Sequence, residues 1–94
     1  MELKTAFGLA LKQVRNLRNL TQEDFSDTSS RTYLSTLERG LKSPTLEKVE
    51  QLSAVLEVHP LTIMVVAYMY KEDDQDLETL LKTIEDEVSA MLHQ

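Results

Sequence analysis

The chain has no cysteine and no tryptophan, and only two glycines and two prolines among its 94 residues. Without cysteine there is neither a disulfide framework nor a thiolate metal site. Scarce glycine and proline argue against sandwiches and barrels, which are rich in tight turns, and an apolar content of 41% argues against disorder. The same shortage leaves no glycine-rich loop to cradle a phosphate, and no serine sits in a nucleophile elbow, so no enzymatic activity is expected. The longest apolar run, Leu61 to Tyr70 with Thr62 inside it, is about half of the ~20 residues that a membrane span needs, and it reads as a buried helix. No charged-then-apolar leader precedes the first helix, so a cytoplasmic location without a membrane partner is expected.

Positive charge is also scarce, but unevenly so. The net charge is −6. Residues 1–48 carry eight Lys or Arg against six Asp or Glu, a balance of +2, while residues 49–94 carry two against ten, a balance of −8. An N-terminal half that faces a polyanion, with the acid held on the other half, is compatible with these counts, and the small +2 implies modest non-specific affinity.

What is present is helical period. At this length a single core can take up roughly 60–65% of the unfolded surface. Over residues 5–18, Phe7, Ala10, Leu11, Val14 and Leu17 recur at three- and four-residue spacing and form one stripe of a first helix. Asn19 suits the left-handed turn that ends it. Thr21, with Asp24 three residues on, caps a short second helix from Gln22. The polar run Ser26-Asp27-Thr28-Ser29-Ser30 turns the chain and offers a new cap, so a third helix runs over residues 31–39, buries Leu34 and Leu37, and stops at Gly40. Thr45 caps a fourth helix whose Leu46, Val49, Leu52 and Leu56 continue the core, and Pro60 opens a fifth that is apolar on nearly every side. After an acidic hinge at residues 71–76, Leu77, Leu81, Ile84, Val88 and Met91 alternate four- and three-residue steps in a heptad-like seam.

The third helix has the make-up of one that lies in a major groove. Its outward residues near the N-terminus are Arg31, Thr32, Tyr33 and Thr36. Arginine can grip guanine O6 and N7 with two parallel bonds, threonine can bond a base or touch a thymine methyl, and tyrosine can add apolar contact. Phosphate contacts would hold the helix in register. Candidates for these are Gln22 and Ser30 at helix N-termini, and Arg39 and Lys42 around the following loop.

Residues 7 to about 64 resemble the lambda-repressor/Cro-type helix-turn-helix domain of the XRE family of bacterial and phage transcription regulators. The resemblance is carried by Leu20-Thr21-Gln22-Glu23, by Leu37-Glu38-Arg39-Gly40 and by Lys42-Ser43-Pro44-Thr45-Leu46-Glu47. It implies a five-helix DNA-binding unit in which Gln22 binds phosphate and steadies the recognition helix, Arg31, Thr32 and Thr36 read bases, and Arg15 pairs with Glu38. The stretch from Gln22 to Glu38 is shorter than is usual in the family. The missing residues fall in the Ser-rich turn, where the family's small residue and glycine are absent.

The expected protein is therefore all-α, with a helix-turn-helix domain over residues 1–70 and, over residues 71–94, an acidic hinge and a C-terminal helix for dimerisation through Leu77, Leu81, Ile84, Val88 and Met91. Its expected partners are a double-stranded, pseudo-palindromic operator and a second copy of itself, since one recognition helix makes few base contacts. Alternatives are an antitoxin-type DNA-binding autorepressor and an acidic protein-interaction module. No cofactor, metal or small-molecule ligand is expected. Glu72-Asp73-Asp74-Gln75-Asp76 lacks the glycine and distal glutamate of a calcium loop, and neither His59 nor His93 has metal-ligand spacing.

Overall fold

The protein was analysed as a computed structural model that describes residues 1–73 and 75–93. Five α-helices follow one another, with a single 3-10 turn after the first: α1 Leu3–Leu17, the turn Gln22–Phe25, α2 Arg31–Glu38, α3 Leu46–Leu56, α4 Pro60–Lys71 and α5 Leu77–Leu92. No strand occurs among the described residues. Among the described residues no single helix is long and apolar enough to cross a membrane.

Helix α1 packs along α4 on one side and against α2 on the other. Its Ala6, Phe7, Ala10, Leu11 and Val14 are buried, but Leu17 is 78% exposed and leaves the expected stripe. The reason lies in the turn that follows. Asn19 adopts φ 58°, the left-handed conformation, and the Leu20 N–H donates to the Arg15 carbonyl at 3.0 Å, which brings Leu20 rather than Leu17 onto the core.

The expected second helix is one 3-10 turn. The Asp24 carboxylate reaches back to accept from the Thr21 N–H at 2.7 Å and from its hydroxyl at 3.1 Å, and Phe25 is fully buried. The Thr28 and Ser29 N–H groups then both donate to the Phe25 carbonyl, at 2.9 and 2.8 Å. Because the next residues are polar, no apolar face draws the turn on into an α-helix.

Local signals set the remaining boundaries. The Ser30 hydroxyl accepts from the Tyr33 N–H at the start of α2, the Thr45 hydroxyl from the Lys48 N–H at the start of α3, and the His59 Nδ1 from the Leu61 N–H ahead of α4. Gly40, at φ 74°, closes α2 with its N–H on the Leu37 carbonyl. On α3, Val49, Leu52 and Leu56 are buried, whereas Leu46 is 86% exposed, contrary to its expected place in the core. At 100° per residue Leu46 stands roughly 80° round the helix from the centre of the buried face.

Helix α4 buries Ile63 and Ala67 and lays Met64, Val66 and Tyr70 against the core, while Leu61 and Tyr68 remain exposed. Of the expected hinge, Lys71 belongs to α4, and Glu72, Asp73 and Asp76 are exposed; Asp74 lies outside the described residues. Asp76 caps α5 by accepting from the Thr79 N–H and hydroxyl, each at 2.8 Å. These bonds hold its carboxyl pKa below the ordinary value. Helix α5 buries only Leu80 among its described residues.

Candidate nucleic-acid interface

The site is built on α2, which a dense polar junction fixes to the rest of the domain. Arg15 on α1 meets Glu38 at the end of α2 through two parallel bonds, Nε to Oε2 at 2.6 Å and Nη2 to Oε1 at 2.9 Å. The remaining guanidinium face donates from Nη1 to the Leu20 carbonyl at 2.9 Å, and the Gln22 amide donates to Glu38 Oε1 at 3.2 Å. Side-chain exposure is 12% for Arg15 and 5% for Glu38, so the charges are removed from water yet nearly every donor and acceptor is used. The hydrogen bond to Glu38 holds the Arg15 pKa above its ordinary value, against the opposing effect of burial. Through this junction α1, the 3-10 turn and α2 share one anchor.

Gly8 is the second means of fixing α2. A Cβ at Gly8 would stand 2.4 Å from the Leu37 carbonyl oxygen and 2.7 Å from that of Glu38. The backbones of α1 and α2 therefore meet where only glycine fits. The sequence hints at this only as an isolated glycine within an apolar helical stripe.

With Leu34, Leu37 and Glu38 turned inward, α2 presents Arg31 and Thr32 to solvent. Gln22, Arg31, Thr32 and Arg39 come together with Ser35 around one open cleft of about 400 Å³. Ser35 is absent from the expected site residues; its signal is the three- and four-residue spacing from Thr32 and Arg31. Thr36 is half-buried and donates its hydroxyl hydrogen to the Thr32 carbonyl at 2.8 Å, which leaves its oxygen lone pairs and methyl group for a base. Arg39 and Lys42 are exposed, and Arg39 Nε leans back to the Ser35 carbonyl at 3.4 Å. Ser30 already accepts a cap bond and keeps its hydroxyl hydrogen to donate.

Tyr33 differs from its neighbours and does not stand free beside Arg31 and Thr32. It is half-buried against the core, and Lys48 Nζ lies 5.5 Å from the centre of its ring. Lys48 escapes a reading of the sequence, in which it is one more surface lysine near the start of a helix.

On α5 the expected interface residues are all uncovered: Leu77 is 49% exposed, Leu81 46%, Ile84 40%, Val88 46% and Met91 68%. The residue that α5 gives to its own domain, Leu80, lies beside that seam and not in it. Leu77 and Leu81 share an apolar groove with Leu61, Thr62, Val65 and Val66 of α4.

Comparison with known proteins places this geometry. A family described as helix-turn-helix matches residues 11–63, which takes in the Arg15–Glu38 junction, the 3-10 turn, α2 and α3. The chain is also 34% identical over 61 residues to control protein C.BamHI of Bacillus amyloliquefaciens, across 62% of this chain and 75% of that protein. The chain belongs to the XRE-type helix-turn-helix family, with its lambda-repressor-like all-α fold, and is a DNA-binding transcription regulator.

Proposed function

We propose that the protein acts as a homodimer on a pseudo-palindromic operator, with α2 of each copy in the major groove. Arg31 and Thr32 read base edges, Thr36 adds an acceptor or a methyl contact, and Gln22, Ser30, Arg39 and Lys42 hold the phosphates. Tyr33 contributes through its ring at the margin of the groove. The observation that carries the dimer is the uncovered stripe from Leu77 to Met91, continuous at its start with the exposed Leu61 of α4. An apolar strip of this kind on a small domain marks an interaction surface. A two-fold axis through it gives each half-site its own reader, the two about 34 Å apart, one turn of DNA. The likeness to a protein named a control protein supports a regulatory role of this kind.

Selection of bound sites from random DNA, paired with sedimentation of the free protein, tests the reading. An inverted repeat with half-site centres one helical turn apart is the expected product. Leu81→Asp with Ile84→Asp should yield a folded monomer whose affinity for that repeat collapses. A parent protein that sediments as a monomer at micromolar concentration and still binds the repeat tightly overturns the dimer. Within each half-site, Arg31→Ala should cost about 1–3 kcal/mol and relax one base pair, whereas Lys42→Ala should weaken all sequences alike and reduce the salt slope by about one.

A further inference from the structure

Lys48 lies on α3, outside the turn and α2, yet it is bonded to both. Its Nζ donates to the Thr28 carbonyl at 3.1 Å and sits above the Tyr33 ring, 5.5 Å from the centroid. Thr28 is in the middle of the polar turn, and Tyr33 is in the first turn of α2. Between Phe25 and Tyr33 the chain has only polar residues and buries no apolar side chain. Among the described residues the other hydrogen bonds that hold this turn are short-range: the Ser26 N–H on the Glu23 carbonyl, two N–H groups on the Phe25 carbonyl and the Ser30 cap. The buried Ser29 hydroxyl has no hydrogen-bond partner among the described residues. A segment without an apolar anchor takes its position from whichever long-range contacts it has, and here Lys48 supplies a charge-assisted bond at one end and a cation–π contact at the other.

We propose that Lys48 is a positioning residue for base recognition. It clamps the turn to Tyr33, and so sets the angle at which Arg31 and Thr32 enter the groove, without touching DNA itself. This rests on the reading of Arg31 and Thr32 as base readers. The bidentate grip of arginine on guanine is directional, so a tilt at the start of α2 is felt in discrimination between bases before it is felt in attraction to the phosphates.

The test is the ratio of affinity for the selected operator to affinity for random DNA, measured with its salt dependence on folded protein. Lys48→Met should lower that ratio by about five- to tenfold, the lower end of what one good base contact is worth. The salt slope should stay that of the parent, and Lys48→Arg, which keeps both the donor and the cation, should restore the ratio. Tyr33→Leu should reproduce the loss, with the Lys48→Met, Tyr33→Leu double variant no worse than either single one, because the two residues form one device. Equal loss on both DNAs with a slope reduced by about one would make Lys48 a phosphate contact; an unchanged ratio with a lowered melting temperature would confine it to stability; additive losses would mean that the two residues act separately. Each of these overturns the proposal. A parent protein with a ratio of one would instead remove the reading of α2 as a base reader, on which the proposal stands.

Discussion

Gly8→Ala separates a local reading of this sequence from the three-dimensional one, because the two differ in sign. Taken as a helix-interior glycine, Gly8 is a weakness, and alanine should stabilise α1 by about 1 kcal/mol. In the fold the new methyl group would stand 2.4 Å from the Leu37 carbonyl oxygen and 2.7 Å from that of Glu38. A carbon and a carbonyl oxygen rest at about 3.3–3.6 Å, so the helices must part by about 1 Å. Both oxygens belong to the backbone of α2, so no side-chain rotation relieves the contact. Overpacking of this kind costs about 1–3 kcal/mol or more, and the absence of any flexible partner puts this site at the upper end, for a net loss near 2 kcal/mol after the helical gain. In a domain of this size that lowers Tm by roughly 10 °C. The displacement also pulls on the Arg15–Glu38 junction, whose Arg15 lies about two turns along α1, so operator binding should weaken even well below Tm. Calorimetry and a DNA-binding isotherm at low temperature check both parts. A Gly8→Ala protein as stable as its parent or more so would refute the close approach of α1 and α2.

Glu38→Ala should cost on the order of 3–5 kcal/mol by chemical denaturation, since it strands Arg15 and removes an acceptor from Gln22, whereas exposed Asp86, paired with Lys82 at 2.9 Å, can be replaced by alanine for less than about 1 kcal/mol. Glu57→Gly should stabilise the protein by about 1 kcal/mol, because Glu57 holds φ 57° at the end of α3 and its ion pair to Arg18, at 3.7 Å, is exposed; an unchanged denaturation midpoint would show that the left-handed turn carries no strain. The Asp76 carboxyl, whose pKa is lowered in the fold, supports the start of α5 above the ordinary carboxylate range and releases it as pH falls through the lowered value. The Thr79 amide should then lose exchange protection on acidification, and Asp76→Asn should blunt that pH dependence.

The caps are legible in the sequence because each is a local event. Ser30, Thr45, Asn19 and Gly40 act within a few residues of themselves, and the structure puts each at a helix end. Leu17 and Leu46 are misleading for different reasons. Period shows which face of a helix is apolar, but at the end of α1 the place beyond Leu17 is taken by Leu20 of the next segment, and at the start of α3 Leu46 stands roughly 80° round the helix from the centre of the buried face. The second helix is overstated because a capping box marks a beginning and carries no information on length. The exposure of Arg31 and Thr32 at the start of α2 is legible from residue type and position, whereas the contacts that support that helix are not. Lys48 acts on residues 15 and 20 positions away, and Gly8 acts through an atom that it lacks.

The acid of the C-terminal half fits an operator binder despite the net charge of −6. Attraction to phosphates is blind to sequence, so every added positive charge raises affinity for the whole genome as well as for the operator. With roughly a million or more competing sites, useful occupancy depends on the ratio of specific to non-specific binding. A domain with few cations keeps the non-specific part small and leaves discrimination to base contacts, which are proposed at Arg31, Thr32 and Thr36. One such set supplies too little energy against that many competing sites, and a second copy doubles it only if the separation between readers is held firmly. In this fold the path from reader to seam runs from α2 through the glycine contact and the Arg15–Glu38 pair to α1, and from α1 along its length to α4, beside which lies the start of α5. The first links are a backbone approach that admits no Cβ and a two-bond ion pair, while α5 is attached through Leu80 alone among its described buried residues. A dimer that used only α5 would leave the half-site spacing loose, so in the proposed assembly Leu61 and Val65 of α4 fix the spacing and the stripe from Leu81 to Met91 supplies area.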